Sequence, residues 1–326
     1  MEHSMKTFHA PKAKVHTFQG MISTSAKMVR FFETVKRVAQ TDSAILIRGQ
    51  SGTGKELVAR AIHNLSPRSA KTFNAVNCAV LTPELATSEL FGHIKGSFTG
   101  AVSDHQGYFE DSHKGTLFLD EVAELPLQAQ SRLLRVIQEK TMTRLGSTKA
   151  RSVDVRILSA THKALRQETR LGQFREDLMY RLRVVPIYLP RLVERGRDIE
   201  VLAWRFIDEF NQRATRQVKA LSQDARDALL NYEWPGNVRE LRNNIENAFA
   251  VGIGDVLQLE DLTPELRGEE PFAPGSQELT LDYSKAERNR IVAALNAAEG
   301  NKGAAADALG MSRSTLWRKM KTMGLS

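Results

Sequence analysis

The chain has 326 residues, 41% hydrophobic and 26% charged, which excludes disordered and fibrous classes and gives room for about two domains. One cysteine excludes an intrachain disulfide and fits a reducing compartment. No stretch approaches the roughly 18 apolar residues of a membrane span, and Met1 to Gly20 has no apolar signal region, so a cytoplasmic protein without membrane insertion is expected. The 46 Lys and Arg exceed the 38 Asp and Glu by 8, an excess compatible with a nucleic-acid partner but not proof of one.

Residues 1–18 read as a short tail rich in Lys and His. From 19 to 190, β-rich runs alternate with helical patterns: Ala44–Arg48, Phe73–Val76, Thr116–Leu119, Val155–Ser159 and Val184–Leu189. Long helical patterns separate most of these strands, which predicts an α/β domain with a parallel sheet and crossover helices. After Pro190 the strands stop. Ile199, Leu202, Ala203, Phe206, Ile207 and Phe210 mark one face of a helix. Ser222 is placed to cap a second helix and Asn237, after Trp234-Pro-Gly, a third. Residues 191–252 are thus a helical appendage. Residues 253–278 read as a linker, on the two prolines, two glycines and three glutamates of Arg267–Glu278, and 279–326 as a small all-α domain.

Two motifs carry chemistry. Gly49-Gln50-Ser51-Gly52-Thr53-Gly54-Lys55 follows the first strand and opens a helix at Glu56, the strand–loop–helix context of a P-loop. Its glycines let backbone N–H groups surround phosphate oxygens, and Lys55 reaches the β- and γ-phosphates. Glu56 stands where the general P-loop has Ser or Thr for magnesium, so another group must hold the metal. Thr116-Leu-Phe-Leu-Asp120-Glu121 supplies it: Asp120 for Mg2+, Glu121 to polarise the attacking water.

These residues resemble the AAA+ ATPases that activate bacterial sigma-54 RNA polymerase, over about Phe18 to Gly252 plus the C-terminal segment. The specific element is Gly96-Ser97-Phe98-Thr99-Gly100-Ala101, similar to the family's GAFTGA loop with Ser97 for the usual Ala. The resemblance implies that this loop contacts sigma-54, in a ring that is a hexamer in the family. It implies that Asn77 pairs with the catalytic glutamate and that Arg175 and Arg181 are arginine fingers acting on a neighbouring subunit. It also implies that Arg239 senses nucleotide from the lid. At the first sensor position the chain reads Ala160-Thr161-His162 where the family usually has Ala-Thr-Asn; the imidazole either changes the γ-phosphate response or does nothing special. Cys78 reads as a small buried apolar residue rather than a reactive thiol.

The C-terminal segment reads as three helices with a Gly310-Met-Ser312 turn before the last, a helix-turn-helix signal. Ser312, Arg313, Ser314, Thr315, Trp317, Arg318, Lys319 and Lys321 are the expected DNA contacts, a basic set without an acid. The segment resembles the Fis-type domain of the same activators; a helical oligomerisation unit is the plainer alternative. Fewer than about 20 residues precede the ATPase pattern, too few for a domain core. The sensor domain of many relatives is therefore expected to be missing, as in phage-shock and Hrp-type activators, with control coming from a separate regulatory protein, from abundance or from a partner subunit. The resulting expectation is an ATP- and Mg2+-dependent activator that binds enhancer DNA and remodels the closed promoter complex of sigma-54 polymerase. The rivals are a DNA-binding repressor or sigma-70 regulator with a vestigial ATPase fold, and a general AAA+ remodeller.

Overall fold

The computed structural model describes residues 7–11, 14–98, 100–269, 291, 294–295, 298, 301–309 and 316. The chain divides into two compact units between Arg267 and Gly268.

The first unit is built on five strands: β1 Ile45–Arg48, β2 Phe73–Asn77, β3 Thr116–Asp120, β4 Arg156–Thr161 and β5 Val185–Tyr188. They lie in the order β5-β1-β4-β3-β2, every neighbour parallel. Each expected strand is present, shifted by no more than two residues at an end. Their runs are almost wholly apolar because both faces are covered. Ile45 and Ile47 of β1, Phe118 of β3 and Leu158 of β4 pack with α1 Ala26–Ala39 and α2 Lys55–Asn64. The alternate residues Leu46, Leu117, Leu119 and Ile157 point the other way, into the core shared with α3 Pro83–Phe91, α4 Leu127–Glu139 and α5 Glu176–Leu182. The carboxyl ends of β1, β3 and β4 therefore emerge together at one edge, where such sheets hold ligands.

The lid follows. It packs α6 Asp198–Asn211, α7 Gln223–Asn231 and α8 Asn237–Val251 around Leu202, Ile207, Leu229, Trp234, Leu241 and Ile245. Ser222 caps α7 as expected, accepting from the Ala225 N–H at 3.2 Å. Asn237 does not cap α8. Gly236 holds that position, and Asn237 is the first helical residue, with a left-handed φ of 51° and its side chain turned toward the P-loop. The Trp234 ring is 1% exposed and its N–H donates to the Leu229 carbonyl at 2.9 Å. It anchors the turn before α8, and truncating such a ring costs about 3–5 kcal/mol.

Two stretches without strong patterning are ordered. Thr7–Phe8, in the expected tail, pairs antiparallel with Ala220–Ser222 of the lid. Residues 253–267, read as linker after Gly252, continue the lid: Val256–Leu257 pairs with Ala220–Leu221, and Leu257, Leu262 and Leu266 are buried in its core. Gly254, Asp255, Glu260, Asp261 and Pro264 interrupt this stretch as a regular element, and tertiary burial recruits its leucines.

In the second unit, Ile291, Ala305, Ala306 and Leu316 form a small buried cluster, and α9 Lys302–Ala308 is capped by Asn301, whose Oδ1 accepts from Gly303 and Ala304. Among the described residues no helix is long and apolar enough to cross a membrane.

Candidate nucleotide-binding site

The P-loop leaves β1 and turns into α2 through two left-handed glycines, Gly52 at φ 74° and Gly54 at φ 103°. It forms one wall of a cleft of about 890 Å³ between sheet and lid. Residues 51–57, Asn77, Asp120, Glu121 and Arg239 all line this cleft. Val15, Thr17, Met21, Ile22, Leu202 and Phe206 give it an apolar end suited to a flat ring.

At the phosphate end, Lys55 is folded back. Its ammonium bonds Glu121 Oε1 at 2.8 Å and the Gly49 carbonyl at 3.2 Å, with only 6% of the side chain exposed. Glu121 follows β3 in a left-handed conformation, φ 50°. Its second oxygen accepts from the His162 backbone N–H at 3.1 Å and from imidazole Nδ1 at 2.7 Å. Burial opposes ionisation of Glu121, but the bonds from Lys55 and His162 outweigh it and hold the carboxyl below its ordinary range. Asp120 is shifted the other way. Burial raises it despite the nearby Lys55 charge, and its Oδ1 accepts from the Glu121 N–H at 3.0 Å. Adjacent carboxylates are thereby pushed apart in acidity, one held ionised and one in need of a cation.

The remaining expected residues divide. Thr161 ends β4 opposite Arg48, and its carbonyl accepts from the Gly49 N–H at 3.4 Å. Arg239 donates to Ser51 Oγ at 3.2 Å. Glu56 lines the cleft, but its carboxylate is bound by Arg60 at 2.8 Å on the exposed side of α2. Asn77 is in register with Asp120, yet its side chain caps the turn after β2, accepting from the Ala79 N–H at 3.0 Å. The glutamate pairing expected of Asn77 is made here by His162 and Lys55. Cys78 is buried; burial and the charges of Asp120 and Glu121 push its thiol far up, which makes it inert. Arg175 binds Asp177 at 2.7 Å and Ser131 at 3.3 Å on the surface. Arg181 lies in the last turn of α5, and neither arginine is among the described residues lining the cleft of its own chain.

The sequence did not single out Arg195, and it placed Asn237 only as a cap. Arg195, 5% exposed, donates to the carbonyls of Thr53 at 3.0 Å and Pro190 at 2.8 Å. Burial lowers its pKa to about 10. The amide of Asn237 donates to Gln50 Oε1 at 3.1 Å and the Ser51 carbonyl at 3.0 Å, and accepts from the Leu192 N–H at 2.9 Å. The only sequence signal for Arg195 is its place three residues after the inward-facing Leu192.

Away from the cleft, the 96–101 loop is pinched at its neck by paired backbone bonds between His93 and His105, 2.9 and 3.1 Å, and by Gly96 N–H to the Ala101 carbonyl, 2.9 Å. Gly96 and Gly100 have φ of 80° and 104°, which other residues rarely adopt. Phe98 rests edge-on against His93 and is 39% exposed; Val102 is 82% exposed. Ser97 is turned inward beside Gly146, its hydroxyl buried without a partner among the described residues. Thr99 and the expected DNA contacts Ser312, Arg313, Ser314, Thr315, Trp317, Arg318, Lys319 and Lys321 lie outside the described residues.

Residues 21–188 match the Sigma-54 interaction domain family, more than half of the chain. The chain belongs to the sigma-54 activator family. Residues 193–279 match the AAA+ ATPase lid domain and 284–323 the Fis family of bacterial regulatory proteins. The transcriptional regulatory protein ZraR of Escherichia coli K12 is 44% identical over 92% of this chain and 68% of its own length. The nitrogen fixation protein AnfA of Azotobacter vinelandii is 42% identical over all of this chain and 60% of its own. The crystal structure of NtrX from Brucella abortus in complex with ATP superposes with a TM-score of 0.71 at 38% identity, over 93% of this chain and 69% of that one. A complex of NtrX with ADP matches equally. This sigma-54 activator is accordingly a nucleotide-binding AAA+ ATPase that acts in transcription, with sigma-54 and DNA as partners.

Proposed function

We propose that the protein assembles as a ring, a hexamer by family resemblance, in the cytoplasm. There it hydrolyses ATP to drive the 96–101 loop against sigma-54 and open the promoter. The supporting observation is the division of charged groups: Lys55, Asp120, Glu121 and Arg239 line one cleft, with His162 bonded to Glu121, while Arg175 and Arg181 stay out of it. Arg239 and Arg195 meet the P-loop from the same chain, whereas Arg175 and Arg181 are left to act on a neighbouring subunit's site.

The chemistry follows from the resting contacts. Phosphate oxygens offer Lys55 more negative charge than one carboxylate does, so ATP draws Lys55 away from Glu121. Glu121 Oε1 is then free to accept a proton from water, while the His162 N–H and imidazole hold Oε2. The half-buried carboxylate of Asp120 fits a divalent cation, which would relieve its desolvation. When bound there, Mg2+ would neutralise phosphate charge. Residues 96–101, Thr99 included, form the contact with sigma-54. Ser312, Arg313, Ser314, Thr315, Trp317, Arg318, Lys319 and Lys321 hold enhancer DNA. A separate regulatory protein acting on the ring fits this scheme.

The trans arrangement is testable in solution. ATPase activity per subunit should rise with protein concentration. Arg181→Ala and Lys55→Ala subunits, each inactive, should regain part of the activity when mixed. Activity independent of concentration, with no recovery on mixing, would contradict a shared site.

A further inference from the structure

The P-loop is held open from behind by the lid. Three consecutive P-loop carbonyls accept hydrogen bonds from lid donors. Ser51 O accepts from the Asn237 amide at 3.0 Å. Gly52 O accepts from the backbone N–H groups of Val238 and Arg239, at 3.0 and 3.3 Å. Thr53 O accepts from Arg195 at 3.0 Å. The contact is as close as backbones allow: a Cβ on Gly52 would lie 2.1 Å from the Gly236 carbonyl oxygen.

A trans peptide directs its C=O and the following N–H to opposite sides. Holding the carbonyls of Ser51 and Thr53 against the lid therefore turns the N–H groups of Gly52 and Gly54 away from it. A phosphate-binding loop needs its N–H groups free and convergent, and it must park the opposing carbonyls on donors or leave them unsatisfied. Here the donors are a 0% exposed Asn237, a 5% exposed Arg195 and the first turn of α8, whose orphan N–H groups are satisfied in the same contact.

We propose that Asn237 and Arg195 are positioning residues for nucleotide binding, fixing the P-loop in its anion-binding shape without touching the nucleotide. They also make loop and lid one mechanical body, so that a change at the phosphates moves α8 directly. Both ADP and ATP use this loop, so both should lose affinity together when it slackens.

The inference rests on the cleft being the nucleotide site, and the test separates the two. Fluorescent ADP and ATP analogues are titrated onto wild type, Lys55→Ala, Asn237→Ala and Arg195→Lys, with thermal melts of each. Asn237→Ala is neutral, so it adds no charge near the phosphates. Loss of its buried hydrogen bonds should raise Kd for both nucleotides by about tenfold, with KM rising in step and kcat at saturation changing less than about threefold. Arg195→Lys keeps the charge but not the forked donor, and should show a smaller rise in the same direction. It carries the test alone if Asn237→Ala does not fold. A lower melting temperature with Kd within twofold of wild type would show a merely structural role and overturn the proposal. Normal binding by Lys55→Ala would instead overturn the assignment of the cleft itself.

Discussion

The nucleotide cleft and the 96–101 loop are built by opposite rules. In the cleft each polar group needed for chemistry has a partner within the chain: Lys55 on Glu121, Glu121 on His162, Arg239 on Ser51. In the loop, two left-handed glycines have open space where a Cβ would stand, and Phe98 and Val102 are left to solvent. Preorganised polar contacts lower the cost of reaching the transition state. An exposed aromatic on glycine hinges lowers the cost of meeting a moving partner. A defect in the loop should therefore leave hydrolysis largely intact, whereas a defect in the cleft stops the loop as well, since hydrolysis drives it.

The largest effect should come from the cleft. Glu121→Ala removes the water-polarising base and should slow turnover by about 10²- to 10⁴-fold. It also frees a buried Lys55 from its ion pair, so the variant should bind ATP at least as tightly as wild type. Single-turnover hydrolysis and equilibrium binding check both halves. Weaker binding would mean that the Lys55–Glu121 pair is not what nucleotide displaces.

A middle effect should come from the second unit. Removing residues 279–326 should abolish tight enhancer binding in a gel-shift assay while phosphate release stays near wild type, since the first unit has its own core. Arg318→Ala alone should weaken specific binding by about 1–3 kcal/mol if it reads a base edge. A truncated chain that still shifts enhancer fragments normally would move DNA recognition elsewhere.

The smallest effect should come from inside the loop. The Ser97 hydroxyl is buried without a partner among the described residues. Ser97→Ala therefore removes an unsatisfied group and should leave stability unchanged or raise it by about 1 kcal/mol, read by chemical denaturation. A clear loss would mean that the hydroxyl has a role the loop needs.

Much of this was legible in the sequence, for a physical reason. The five strands are buried on both faces, so their apolar runs stand out, and the P-loop glycines are demanded by backbone geometry that no other residue supplies cheaply. Side-chain partnership was not legible. Asn77 and His162 are both polar residues at strand ends, and only the left-handed turn at Glu121 decides which of them its carboxylate meets. Arg195 is one of three arginines within seven residues, and nothing local marks the one that turns inward. Asn237 has the composition of a cap, yet the approach of Gly52 to Gly236 draws its amide to the P-loop. Residues 253–267 join the lid through burial of scattered leucines, which no short window reveals.

The separation of chemistry from work is tested most directly by Phe98→Ala, with phosphate release and open-complex formation at a sigma-54 promoter measured on one preparation. Phe98 is partly exposed and packs on His93, not on the cleft. Hydrolysis should stay within about threefold of wild type, as for most exposed substitutions, while open-complex formation is lost. Full transcription by the variant, or equal loss of both activities, would contradict the account.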